Sequence, residues 1–517
     1  MNLSLHLRRA ARYWSATAAV VHNDSTLTYG ALYERTCRLA NALLSLGLQR
    51  GDRVAIRSRN SVQLVEIECA LYMAGLTKAA LNPRYTENEV AQVMADCTPA
   101  VLIAGEGFTH YSRESEGFAS VSTMIALSGE QPGYIDYEAL LAAASTQEPQ
   151  VEIDRDDVAV LHFSSGSTGK IKAAMQTFGN RQASLRKFLA GSDVPVGVGD
   201  RIAMLGPMTH ATGMMIQPAL YGGGTIVVFD KFEVEPFLAA VQAQCISHVF
   251  MVPAMINMLL AHPALPRYDL SSLRSLSYGA APMAPARIVE AWKRFGPILS
   301  QGYGGSEMTS GVARLSIADH AHAIGHRPER LASCGRPHVE TDVRVVDENG
   351  QEVSGEQIGE VVVAGDDVFK GYWGAPELTA EVLIDGWFHT GDLARVDDEG
   401  FIYLVDRKKD MIISGGFNVY PTEVETVLYQ HPAIYEVCVI GVPDERWGES
   451  VKAVACLRPN ATATAEELIA FCREHMADYK CPRTVDFAPD LPKHASGKVA
   501  RKLVRERYWA GVDRRIN

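Results

Sequence analysis

The sequence predicts a mixed α/β fold in two unequal parts, on three observations. Apolar strand-like runs alternate with helix signals through the first third of the chain, and the pattern continues to about residue 330. Such alternation is the signature of largely parallel strands flanked by helices. Between about residues 335 and 405 the texture changes to short alternating runs, such as Val343–Val346 and Gly359–Val363, set between Gly and Asp turns. That texture predicts a small antiparallel barrel or sheet. A charged break follows, Asp406-Arg-Lys-Lys-Asp410, and the remainder reads as a compact α+β unit.

Taken in order, Leu3, Leu7, Ala10 and Trp14 fall at helical spacing with Arg8, Arg9 and Arg12 between them. The segment lacks the apolar centre of a secretion signal and reads as a packing helix. Thr28 is placed to cap a helix running to about Leu46, with Gly47 as its stop. Val54–Ile56 reads as a strand, and Asn60 as the cap of a helix carrying Leu64, Ile67, Glu68 and Leu71. Thr86-Glu-Asn-Glu89 has the capping-box pattern, for a helix to about Asp96. Val101–Ala104, Val158–Leu161, Ile202–Leu205, Thr225–Phe229 and His248–Val252 complete the strands of this part. Beyond the break, strands near Tyr435–Ile440 and Lys452–Cys456 flank a helix from about Thr464 to Met476. The domain boundary falls near residue 409, giving 1–408 and 409–517.

At 517 residues the chain exceeds one ordinary core, so two or more domains are expected. A net charge of −12 argues against nucleic acid as the main partner. The nine cysteines are scattered without a CxxC pair, which suits free thiols in a reducing, cytoplasmic compartment. The most apolar run, Val249–Ala261, is interrupted by Pro253 and Asn257 and is too short to span a bilayer, so no integral membrane association is expected.

The chemistry is concentrated in a few segments. Phe163-Ser-Ser-Gly-Ser-Thr-Gly-Lys-Ile-Lys172 gathers hydroxyls, glycines and lysines just after an apolar strand. Glycines admit backbone N–H groups to an anion, hydroxyls donate, and lysine supplies charge, so the loop suits phosphate. It is not a P-loop: the first glycine that motif requires falls on Ser164, and Ile171 stands where the hydroxyl for magnesium should be. Alone, the loop reads equally as a polar turn. Gln301-Gly-Tyr-Gly-Gly-Ser-Glu307 offers a ring at Tyr303 for a flat base, a donor at Ser306 and a hard oxygen ligand at Glu307. In Trp387-Phe-His-Thr-Gly-Asp392 a carboxylate at a tight Gly-Asp turn can accept from ribose hydroxyls, or form an Asx-turn. Arg407 could reach a nucleotide, and Lys409 could be a pivot. Leu491-Pro-Lys-His-Ala-Ser-Gly-Lys498 sets a lysine on a Gly-containing loop, where a plain surface lysine is the other reading.

In this order and spacing, the set resembles the adenylate-forming superfamily, on its branch of AMP-forming acyl- and aryl-CoA synthetases. The resemblance covers about residues 25 to 505. It implies a large N-terminal domain of two helix-flanked sheets plus a small distorted β-barrel, binding ATP and the acyl group, and a smaller mobile α+β lid, hinged near Lys409. It implies that Ser164, Ser165, Gly166, Ser167, Thr168, Gly169 and Lys172 grip phosphates. Gly279, Ala280 and Ala281, with Gln301, Gly302, Tyr303 and Gly304, resemble the adenine segment. Ser306 faces phosphate, Asp392 the ribose, and Arg407 the nucleotide. Lys498, Glu307 and Thr168 are the implied catalytic residues, with Glu307 and Thr168 also holding Mg²⁺. His210, Met255, Gly279, Ala280, Gly302, Met308 and Val312 are the implied acyl pocket, with His210 as its gate. Ser414, Gly415, Gly416 and Trp447 resemble the face that meets CoA pantetheine. The sequence departs from the family pattern at Ile171, where Pro is usual, and at Ala173, where Gly is usual.

The implied activity is ATP-dependent conversion of a carboxylic acid to acyl-AMP and pyrophosphate, then thioester formation with CoA. The implied cofactor is Mg²⁺, with ATP and CoA as co-substrates; the resemblance also admits a homodimer. No Asp stands in Gly206–Gly213 to pair with an α-ammonium, which favours a simple acid: aryl, cyclic, or medium to long aliphatic. No charged residue among the implied pocket positions asks for a second polar group. Lys480 and Arg483 are basic candidates for the CoA nucleotide. Two other readings stay open: a ligase loading a carrier-protein phosphopantetheine, and a non-catalytic ATP-binding homologue.

Overall fold

The computed structural model describes residues 3–165, 171–415, 417–444, 446–493 and 499–509. The chain divides into two compact units, one of residues 1–343 with 363–388, the other of 344–362 with 389–517.

Two sheets organise the first unit, as the alternating sequence predicts. Among the described residues one has nine strands, in the order Arg336–Pro337, Ser310–Leu315, Leu299–Gly305, Ser275–Gly279, His248–Met251, Arg201–Met204, Thr225–Val228, Ala18–His22, Ser25–Thr28. Its inner strands pair in parallel, from Ala18–His22 across to Leu299–Gly305. The other runs Ile135–Asp136, Thr123–Ala126, Val101–Ala104, Arg53–Arg57, Thr77–Ala80, Val158–Ser165, Ile171–Thr177. It is parallel up to its final hairpin, where Val158–Ser165 pairs antiparallel with Ile171–Thr177.

Three of the predicted helices form as their caps and apolar faces predict. Thr28 caps Tyr29–Ser45, and Thr86 with Glu89 closes a capping box on Glu87–Cys97. Leu5–Tyr13 buries Leu7 and Ala10 completely. Asn60 is a correction: Ser61 is the N-cap of Val62–Ala74, and the Asn60 amide instead donates to Gly206 O and Phe229 O, at 2.9 and 3.0 Å. A side chain that can satisfy two carbonyls on another sheet gains more there than at a helix end.

In the second unit, strand Ile402–Arg407 pairs antiparallel with strand Trp387–Val396. A further sheet joins Phe417–Val419, Ile412–Ser414, Gly448–Leu457 and Ile434–Asp444, with Thr484–Phe487 beside Gly448–Leu457. Helices Pro421–Leu428 and Ala465–His475 pack on it through Val424, Leu428, Leu468 and Cys472. The nine cysteines are free thiols, all but Cys245 buried. Among the described residues no helix is long and apolar enough to cross a membrane.

Candidate functional site

The candidate phosphate-binding segment is flanked by two antiparallel strands, Val158–Ser165 and Ile171–Thr177. Ser164 lies opposite Lys172, and Ser165 opposite Ile171. Gly166, Ser167, Thr168 and Gly169 lie outside the described residues. The two departures from the family pattern are strand residues: Ile171 and Ala173 are each 8% exposed, and Ala173 O accepts from Trp373 N at 2.9 Å. An aliphatic side chain suits a buried strand position, so neither residue is out of place there.

A second segment is stitched to this hairpin. Met175 N donates to Gly371 O and Lys370 N to Met175 O, both at 2.9 Å. Asn180, in the first turn of helix Phe178–Gly191, donates to Asp366 O and Val368 O at 2.8 Å each. Below them Lys187 and Asp367 form a buried ion pair, with Thr341 donating to the same carboxylate. Burial lowers the Lys187 pKa, and the Asp367 carboxylate opposes that shift.

The stitched segment delivers Tyr372. Its hydroxyl donates to Glu307 Oε1 at 2.9 Å, while Lys172 Nζ stands 5.2 Å from the centre of its ring. Tyr372 thus ties the metal-ligand candidate to a lysine of the phosphate loop. Ser306 donates to Glu307 Oε2 at 3.2 Å, Gln176 donates to Ser306 O, and Phe369 N donates to Glu307 O. Thr309 and Ser310 follow with φ of 44° and 122°, left-handed values that cost about 1 kcal/mol or more each. Gly304 is required by the same turn: a Cβ there would lie 1.8 Å from Ser310 O. Among the described residues no group of three or more His, Cys, Asp or Glu could hold a metal by itself. A single carboxylate fits Mg²⁺, which characteristically takes one or two carboxylates and completes its shell with phosphate oxygens and water.

In the same unit Gly279 pairs with Gly302 and Tyr278 with Gln301 on adjacent parallel strands. Tyr303 pairs with Ala313 across the next antiparallel strand. Ala280 is exposed, with a φ of 66°, and Ala281 follows it. Of the other implied pocket residues, Met308 and Val312 are buried and Met255 is partly buried. His210 precedes the short helix Ala211–Met215, its Nδ1 2.9 Å from Thr209 Oγ1. Burial brings its pKa down to about 4.

In the second unit Asp392 is a correction in its setting: it lies within strand Trp387–Val396, beyond a kink at Gly391, and not in a tight turn. Arg407 lies directly opposite, with its Nε 2.9 Å from Asp392 Oδ1. Glu360 holds the kink, accepting from Gly391 N at 3.0 Å. Lys409 is exposed, in the turn between Ile402–Arg407 and Ile412–Ser414. Ser414 pairs with Gly448, and Gly415 N donates to Trp447 O at 2.9 Å. Gly415 has a φ of +60°, and a Cβ there would lie 2.5 Å from the Trp447 ring. Trp447 is exposed, so it is not a core residue. Gly416 and Lys498 lie outside the described residues. Lys480 and Arg483 are already paired, with Glu423 and Asp478.

Tyr372 escaped the sequence reading although Gly371-Tyr-Trp-Gly374 has the punctuation of a functional turn. Comparison with known proteins places the chain in a family. A feruloyl-CoA synthase from Amycolatopsis sp. is 39% identical over 97% of this chain and 98% of its own. The solved amide bond synthetase McbA from Marinactinospora thermotolerans superposes with a TM-score of 0.86 at 30% identity, over 98% of this chain and 100% of that one. The o-succinylbenzoate CoA synthetase of Bacillus subtilis, solved with its acyl-adenylate intermediate, gives a TM-score of 0.85 at 28% identity, over 96% and 97%. The family model for AMP-binding enzymes matches residues 7–373, and that for their C-terminal domain matches 423–498. The chain belongs to the AMP-binding enzyme family.

Proposed function

We propose that this enzyme joins a carboxylic acid to CoA in two half-reactions, through an acyl-AMP intermediate. One observation carries the reading: Tyr372 sets Glu307 beside the phosphate-loop hairpin that carries Lys172. A carboxylate needs no general base to attack phosphorus. The difficulty is an anion approaching a polyanion, so the site's task is charge neutralisation and in-line placement. The loop Ser164–Lys172 grips the departing pyrophosphate, Thr168 is assigned as a second metal ligand, and Lys498 supplies a cation at the reacting phosphate. Bound Mg²⁺, held by Glu307 and Thr168, would supply further charge neutralisation on the phosphates. Asp392 and Arg407 hold the ribose end, while Gly279–Ala281 and Gln301–Gly304 hold the base.

In the second half-reaction the lid, residues 409–517, turns about Lys409. Lys498 leaves, and Ser414–Gly416 with Trp447 presents a small-residue face to pantetheine. Contact between Gly415 and the exposed Trp447 supports that role. The acid is aryl, cyclic, or medium to long aliphatic. Free buried thiols support a cytoplasmic setting.

The test is pyrophosphate release across benzoates, fatty acids and polycyclic acids, with CoA, a holo-carrier protein or an amine as acceptor. Acid-dependent release with a CoA thioester as product is expected. A carrier-bound product would reassign the acceptor, and no release with any acid would revive the non-catalytic reading.

A further inference from the structure

A buried ionic cluster in the first unit is made of residues that have no role in the reading above. Helix Val62–Ala74 is buried along most of its length yet carries Glu68, 1% exposed. Strand Thr77–Ala80 is buried at every position yet carries Lys78, and helix Phe178–Gly191 adds Arg181; each is 7% exposed. Lys78 Nζ donates to Glu68 Oε2 at 2.5 Å. Arg181 Nη2 stands 3.8 Å from Glu68 Oε1, which accepts no hydrogen bond. The Arg181 guanidinium also reaches Gln176 Oε1, at 3.5 Å, and the Met214 thioether. The Tyr72 hydroxyl also interacts with the guanidinium, and the contacts to Glu68 and Gln176 are long for a group with five donors.

Two cations therefore share one carboxylate. The neighbouring imidazoles add no charge near neutral pH, because burial brings His162 down to about 3 and His210 to about 4. The cluster carries one positive charge in excess, and an uncompensated buried charge is costly. These side chains, with Val160, Met208, Thr209, Gly213 and Met214, line a void of about 10 Å³, room for about one water-sized oxygen. His162 lines the void, and its Nδ1 is buried without a hydrogen-bond partner. The His162 ring meets the His210 ring edge-on at 5.4 Å, and His210 is the implied gate of the acyl pocket.

We propose that this cavity receives a hydrogen-bond-accepting oxygen carried by the acyl portion of the acid. The preferred substrates are then acids bearing a second oxygen function (ketone, hydroxyl or carboxylate) rather than plain hydrocarbon acids. The proposal rests on the acid-activating reading above. Arg181 supplies the donor and the excess charge, Glu68 fixes Lys78 beside it, and His162 Nδ1 adds a second polar contact. A hydrocarbon in the same place would leave these groups desolvated and unpaired, which is how a polar site rejects an apolar analogue.

The test compares matched acids by pyrophosphate release: octanoate with 7-oxooctanoate and octanedioate, and 3-(4-methylphenyl)propanoate with 3-(4-hydroxyphenyl)propanoate. At least one oxygenated member is expected to exceed its hydrocarbon partner in kcat/KM by about tenfold or more. Arg181→Leu should remove that preference, with the KM for ATP unchanged, and Arg181→Lys should restore part of it. If the variant does not fold, the wild-type comparison decides alone. Hydrocarbon acids equal to or better than every oxygenated partner would overturn the proposal and leave acid activation standing. A uniform loss on all acids in Arg181→Leu would also overturn it, since the charge would then serve the reacting carboxylate. Release with no acid would remove the acid-activating reading itself.

Discussion

The Tyr372 hydroxyl donates to Glu307 Oε1 at 2.9 Å, and the ring of the same tyrosine lies 5.2 Å from Lys172 Nζ. One side chain from a loop thus ties the candidate metal ligand to the hairpin that carries the candidate phosphate-binding segment. Tyr372→Phe keeps the ring and removes the hydrogen bond. The expected result is a loss of about 10- to 100-fold in kcat/KM for adenylation, as for a hydrogen bond to a charged group, with the thermal midpoint nearly unchanged. Steady-state pyrophosphate release and a melting curve check both parts.

Glu307→Gln should cost adenylation roughly 100-fold or more and raise the Mg²⁺ concentration needed for half-maximal rate. A magnesium titration that superposes on the wild type would remove Glu307 from the metal site.

Lys498→Ala should cripple adenylation while leaving thioester formation from preformed acyl-AMP largely intact. Equal loss in both half-reactions, measured separately, would refute the assignment of that lysine to the first step.

The Lys187–Asp367 pair holds the segment that carries Tyr372, and both partners are almost fully buried. Asp367→Asn leaves a buried lysine without its anion and should destabilise the first unit by roughly 3 kcal/mol or more in urea unfolding. The double substitution Lys187→Met with Asp367→Leu should recover much of that loss.

Burial holds His210 at a pKa of about 4, against 6.5 for an unperturbed histidine. Between those values the unfolded chain binds a proton that the folded chain does not. The stability is therefore full above pH 6.5 and is lost as pH falls towards 4, by up to roughly 3 kcal/mol from this residue. His210→Gln should flatten that part of the stability-against-pH curve; an unchanged slope would contradict the burial argument.

Much of this was legible in local patterns. Thr28 and the Thr86–Glu89 box marked their helices because a cap is a local interaction. The family was legible because the types and order of Ser164, Glu307, Asp392 and Lys498 are unusual together. What escaped depends on contacts between distant residues. Nothing near Asn60 announces that its amide serves Gly206 and Phe229. Asp392 reads as a turn because Gly391 precedes it, but pairing with Arg407 keeps it in a strand. Glu68 reads in the sequence as an ordinary member of its helix, and nothing there marks Lys78 as lying in a buried strand. Their meaning emerged only once the fold brought Arg181 alongside them.

The central claim, two half-reactions through an acyl-adenylate, is tested most directly by a pulse-chase with α-³²P-labelled ATP. The enzyme is incubated with Mg²⁺ and an acid that releases pyrophosphate, without a thiol, then chased with CoA. The account predicts an acid-dependent labelled acyl-AMP that converts to labelled AMP and an acyl-CoA in the chase. Labelled ADP as the product, or label that no acid alters, would contradict it.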